Sequence, residues 1–336
     1  MHVFIRRLIA LTQTAMTLAL ASALALLAPA AHAQNLPPGD SPQVPRVERW
    51  LVVLCGLPGD QPHRERLTGA VKKIAAAAEP VLLTPTGHLK VLVGDDEMLD
   101  EVSGSLSGAG VCTAESVQNL FQKLGQEIKA KDECWIICLG HAQLYGTRST
   151  FNVQGPDFDA DDFARSVKAL GNHQRVFWLT MPVSGLWVKP LKAERSVCIA
   201  ATEAGPEFTA TEMPYALADV LAGTQSYQAL SDIDEDRQLT LLDLYLSVNL
   251  EIHHRYKALE RLQTEHAQLD DNGDGGGKEL QEAYLPQEEE GASAVKDQPP
   301  RRIQQTFNGD GDLARRILIG KPADRADDPV EQAEQP

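Results

Sequence analysis

The sequence predicts an α/β fold with a mostly parallel sheet and helices on both faces. Three observations carry this. Trp50–Cys55, Cys134–Leu139, Arg175–Met181 and Ser196–Ala201 are short apolar runs, rich in β-branched and aromatic residues. Runs of this kind suit strands buried on both faces of a parallel sheet. Segments with helical spacing lie between them. Such alternation is the pattern of a covered parallel sheet.

Taken in order, Met1–Ala33 is set apart from the fold. Arg6 and Arg7 precede the apolar stretch Leu8–Leu27, and Ala31-His32-Ala33 has the small-x-small form of a signal peptidase site. The expectation is an exported protein, periplasmic or extracellular, with mature residue Gln34 and no stable membrane insertion after cleavage. An uncleaved anchor is the alternative, because the stretch is long enough to span. Residues 34–46 are Pro-rich and read as a linker.

The charge balance narrows the partners. The chain has 31 Lys and Arg against 47 Asp and Glu, a formal net charge of −16. This opposes binding to nucleic acid and suits divalent cations. The five cysteines have no Cys-x-x-Cys spacing. Buried inert thiols are the expectation, with a disulfide such as Cys55 to Cys138 as the alternative.

Strand 1 is Trp50–Cys55, and a helix over His63–Ala78 follows, with Leu67, Val71 and Ile74 on one face. His88–Val93 reads as a second strand. Thr113 opens a helix carrying Val117, Phe121 and Leu124 inward. Cys134–Leu139 is the next strand and ends at Gly140-His141. Tyr145–Phe158 reads as irregular, and Asp159–Leu170 as a helix. Arg175–Met181 ends in a Pro-Gly turn containing Pro182, Ser184 and Gly185. Ser196–Ala201 is another strand, and a helix lies near Tyr215–Leu221. Leu241 begins a long helix expected to reach Leu269. The folded domain is therefore set at residues 47–268, or split near Gly223–Ser231. Residues 269–336 read as an acidic, largely disordered tail.

Two strand ends thus face the edge where open α/β sheets place ligands and chemistry. One carries His141 and the other Pro182–Gly185. The order strand–Gly-His, strand–x-x-x-Ser-Gly, then Ile199–Glu203 resembles the caspase/legumain clan of cysteine peptidases, and most of all its secreted bacterial, legumain-like branch. Asn152–Asp157, Asp232–Asp243, Thr264–Ala267 and Asp270–Gly275 look like segments of that branch. The resemblance covers roughly Arg49–Gln268. It implies a caspase-like fold, a catalytic His at His141 and a cysteine at the position of Pro182. Ala142 and Thr180-Met181 also depart from the clan's pattern. Proline offers neither a nucleophile nor an N–H. The expectation is therefore a pseudopeptidase with a vestigial His141, one that binds a peptide or protein partner without cutting it. An active hydrolase using His141 with Ser184, or with an unaligned cysteine, is the alternative. A structural or calcium-binding envelope protein is a third reading.

The calcium reading rests on residues 232–243. An EF-hand-type loop takes side-chain oxygens at positions 1, 3, 5, 9 and 12 and a carbonyl at 7. These positions fall on Asp232, Asp234, Asp236, Thr240, Asp243 and Gln238. Arg237 replaces the turn glycine, and Asp243 replaces the longer Glu, so the expected affinity for Ca²⁺ is weak. Asp270–Gly277 begins like a similar loop but reads better as a polar turn.

Overall fold

The computed structural model describes residues 47–205, 207–223, 229–285 and 309–320. The expected signal peptide and linker lie outside the described residues. The fold is α/β, built on a seven-stranded, mostly parallel sheet flanked by helices.

In chain order the first half contains β1 (Arg49–Cys55), α1 (Gln61–Ala77), β2 (Leu89–Val93), α2 (Asp96–Ser103), β3 (Gly110–Val111), α3 (Ala114–Glu127) and β4 (Glu133–Leu139). There follow β5 (Ala142–Tyr145), β6 (Arg148–Phe151), β7 (Phe158–Asp159), α4 (Ala160–Val167), β8 (Gln174–Leu179), α5 (Gly185–Leu191), β9 (Ser196–Ala200), α6 (Met213–Ala222), α7 (Leu241–Ala258), β10 (Gln268–Asp270) and α8 (Gln281–Tyr284). The sheet order is β10-β9-β8-β4-β1-β2-β3, and only β10 runs antiparallel to its neighbour.

Strand alternation divides the core. Leu51 and Val53 of β1, Trp135 and Ile137 of β4, and Trp178 of β8 pack with α1, α6 and α7. Val52, Ile136, Phe177 and Cys198 point to the other face, against α3, α4 and α5. The pleat sends successive side chains to opposite faces, so every central strand must be apolar throughout. Thr113 caps α3 reciprocally with Ser116, and Asp159 caps α4 with Asp162.

Three expectations are corrected. The segment read as irregular contains a small antiparallel sheet, β5-β6-β7. Its strands have four residues or fewer, too short for a visible period. The helix from Leu241 stops at Ala258 rather than Leu269. Glu260 adopts a left-handed φ of 51°, which a helix cannot accommodate. Lastly, the fold continues past Gln268. β10 adds the seventh strand, and residues 309–320 return to pack beside α7, with Ile319 fully buried. We call this returning segment the strap. Its backbone bonds to Leu239, Leu241 and Val81, and the Arg49 guanidinium donates to Leu318 O.

Candidate functional site

Because β1, β4, β8 and β9 are parallel, their carboxyl ends meet at one edge of the sheet. Small residues bring these ends close. Gly140 sits at φ 129°, and a Cβ there would lie 3.2 Å from Gly56 N. A Cβ on Gly56 would lie 2.4 Å from Asn152 O. Glycine at 140 lets the loops after β1 and β4 touch, and glycine at 56 lets the chain after β6 close against the end of β1.

His141 follows directly. Its Nε2 lies 3.1 Å from Pro58 O. A carbonyl can only accept, so Nε2 carries the proton. The His63 ring meets it edge-on with centroids 5.0 Å apart, and His63 Nδ1 lies 2.7 Å from Asp60 Oδ1. Burial holds the His141 pKa below the ordinary histidine value, and the Pro58 carbonyl opposes that shift. His141 is therefore a neutral imidazole at neutral pH.

At the end of β8 the chain passes through Thr180, Met181, Pro182, Val183 and Ser184 into α5. Val183 has a φ of 50°, a strained conformation for a β-branched residue. It is held by Val183 N donating to Glu207 O at 3.1 Å. Ser184 is fully buried. Its Oγ accepts from Ala201 N at 2.9 Å and from Thr202 N at 3.2 Å. The hydroxyl thereby fastens the turn after β8 to the end of β9. A Cβ on Gly185 would lie 2.2 Å from the Glu203 carbonyl carbon, so this turn needs its Ser-Gly pair for packing.

His141 and Pro182 share a shallow crevice with His63, Arg66, Thr211 and Tyr215. It encloses about 10 Å³, room for roughly one water molecule. Among the described residues, no hydrogen bond joins His141 to Ser184 or to a cysteine. All five cysteines are buried and unpaired. Burial pushes the Cys134 thiol up to about 12 and the other four higher still.

Sequence reasoning missed the support beneath the crevice. Glu265 is buried under the N-terminus of α6, where its two oxygens accept from Glu212 N at 2.7 Å and Met213 N at 3.0 Å. Pro214 and Tyr215, on the first turn of α6, line the crevice. The Arg66 guanidinium stacks 3.6 Å from the Tyr215 ring centroid and bonds Glu212 at 2.6 Å. Arg255 of α7 joins Glu212 and Asp219, and Lys73 of α1 also reaches Asp219. The available signal was Thr264–Ala267, visible as a motif but silent about its role.

The acidic loop lies elsewhere, before α7. Asp232, Asp234 and Asp236 converge, each with a carboxylate oxygen within 4.8 Å of the others. Asp232 accepts from Asp236 N and Arg237 N, and Asp236 from Gln238 N. Arg237 takes the left-handed φ of 70° at the glycine position. Thr240 and Asp243 are otherwise engaged. Thr240 caps α7, its hydroxyl donating to Asp243 Oδ2 at 2.8 Å. Asp243 Oδ1 accepts from Ile233 N. Gln238, expected through its backbone carbonyl, stands exposed in the loop. The structure thus gathers three of the six expected ligands and places two in a helix cap. Asp234 Oδ1 is buried without a hydrogen-bond partner, while Oδ2 pairs with Arg315 Nε at 2.9 Å. Burial raises the Asp234 pKa, aided by the Asp243 and Asp236 charges.

The DDNGDG turn is a structural knot. Asp270 accepts from Gly273 N and Gly275 N, and Asp271 from Gly311 N, Leu313 N and Ala314 N. No protein-family model and no curated protein sequence matches the chain.

Proposed function

We propose that this is an exported, non-catalytic protein of caspase/legumain-like architecture that binds a peptide or protein partner at the edge carrying His141. The observation that carries the reading is Pro182 in the β8 turn, across a shallow crevice from His141. A thioester-forming enzyme needs a nucleophile there, within reach of a base. The Ser184 hydroxyl is instead hydrogen-bonded to two backbone amides, and all five thiols are buried. The order of strand ends, with His141 after β4 and the Ser-Gly turn after β8, supports the family resemblance. The test is a broad panel of peptide substrates offered to the mature chain. We expect no turnover, with wild type and His141→Ala equally inert. Turnover that a cysteine-directed alkylator abolishes overturns the reading.

A second reading is favoured by Asp234 Oδ1. A buried carboxylate oxygen with no partner, on a residue that clusters with two more carboxylates, suits a hard cation with oxygen ligands. Asp232, Asp234 and Asp236 would hold Ca²⁺, with an affinity of roughly 10⁻⁴–10⁻³ M, the extracellular range. Melting in millimolar Ca²⁺ and in chelator is the measurement. A calcium-dependent rise that Asp232→Ala removes is expected, and no shift in wild type rejects the site.

A further inference from the structure

We propose that Arg315 is a tethered counter-cation of the acidic loop, and that a divalent cation entering at Asp232, Asp234 and Asp236 displaces it and loosens the strap. This rests on the cation reading above. The loop is more than an acidic cluster, because the Asp234 side chain is only 4% exposed and its Oδ1 lacks a partner. Three carboxylates converge on one point, and the strap supplies one guanidinium against them.

The geometry makes the two cations rivals. Arg315 Nε sits 2.9 Å from Asp234 Oδ2, on a carboxylate that has one oxygen within 4.8 Å of those of Asp232 and Asp236 and whose Oδ1 lacks a partner. A doubly charged ion bound there lies within a few ångströms of the guanidinium. Like charges at that separation repel strongly where one side of the pair is buried. Calcium also takes carboxylates in bidentate mode, which would require the oxygen Arg315 now holds. Arg315 can leave without being stranded, since it is 43% exposed and its NH2 group already bonds Tyr284 Oη at 2.6 Å.

The consequence reaches the strap because Arg315 follows Leu313 and Ala314, whose amides bond Asp271. Loss of the Asp234 pair frees one of the strap's side-chain ties. Arg49 donating to Leu318 O and the backbone bonds of Leu241 N and Ile319 N hold the far end. Loosening should therefore centre on residues 311–316 rather than release the whole segment.

The experiment uses the full mature chain and Ca²⁺ alone as probe. Apparent dissociation constants come from melting temperature against Ca²⁺ concentration, for wild type, Arg315→Gln, Arg315→Lys and Asp234→Asn. We expect Arg315→Gln to bind at least fivefold more tightly than wild type, Arg315→Lys to stay within twofold, and Asp234→Asn to bind nothing measurable. Amide hydrogen exchange of wild type should quicken at residues 311–316 when Ca²⁺ is added. That second readout stands alone if Arg315→Gln does not fold. Calcium binding with equal or weaker affinity in Arg315→Gln, or slower exchange in the strap, overturns the displacement and leaves the cation site standing. No binding in any variant overturns the cation site itself.

Discussion

Ser184 shows how one side chain distinguishes a packing role from a chemical one. Its Oγ is the acceptor for two buried amides, Ala201 N and Thr202 N. Removing an acceptor leaves both donors without a partner, at a cost of about 1–3 kcal/mol each. Ser184→Ala should therefore lower the melting temperature clearly, while behaving like wild type toward peptide substrates if the proposed non-catalytic function holds. A nucleophilic Ser184 gives the opposite result, with activity lost and stability nearly intact. Thermal melting and a substrate assay on the same preparation decide between them. His141 differs in kind. It is half-buried and bonded to Pro58, and its ring stays neutral through desolvation. This leaves it suited to hydrogen-bonding a partner rather than to carrying charge.

Among the elements, α6 depends on a distant residue. Its N-terminal amides are capped by Glu265, which arrives after the break at Glu260. Burial pushes the Glu265 carboxyl up to about 8, against the two amides that favour its charged form. The unfolded chain releases this proton near the ordinary value of about 4.3, whereas burial holds it in the folded chain up to about 8. Between those values the folded state binds the extra proton, so stability falls as pH rises. Glu265→Gln should flatten that fall between about pH 5 and 8 in a series of melting curves. Glu265→Ala should cost about 1–3 kcal/mol at about pH 6, because the amides lose their acceptor. Much of this scale was legible in the sequence. The runs at Trp50, Cys134, Val176 and Ser196 are strands because both faces of the sheet are covered. Thr113 opens α3 because its hydroxyl caps the helix. The end of α7 was not legible, since Leu259 and Leu262 continue the apolar rhythm while standing exposed in a loop. Nor was the cap at Glu265, since contact between residues about fifty apart leaves no local pattern. The acidic triad was visible as spacing, but the orphan oxygen of Asp234 and the approach of Arg315 are matters of packing alone.

Over the whole molecule, the strap joins the two ends of the fold. The strap sits in the Asp-, Glu- and Gly-rich residues 269–336, which read as an acidic, largely disordered tail by composition. Ala314, Ile317 and Ile319 are nevertheless buried against α7 and its surroundings, and Asp271 receives three strap amides. The Arg49–Glu133 pair, at the start of β1 and β4, takes one further acceptor from Leu318 O. Burying each isoleucine contributes about 1.5–3 kcal/mol. Leaving Asp271 buried without its amides costs about 1–3 kcal/mol or more, as for any unsatisfied buried polar group. The combined loss, on the order of 5 kcal/mol, is a large share of the roughly 5–15 kcal/mol that holds an ordinary domain. A chain ending at Asn308 should therefore melt at least ~10 °C below the full chain, by the usual ~2–4 °C per kcal/mol for domains of about 150–250 residues. A chain ending at Gly320, which keeps the strap, should melt with the full protein. If both truncations melt alike, the strap is a loose appendage, and the domain ends where composition alone would place it.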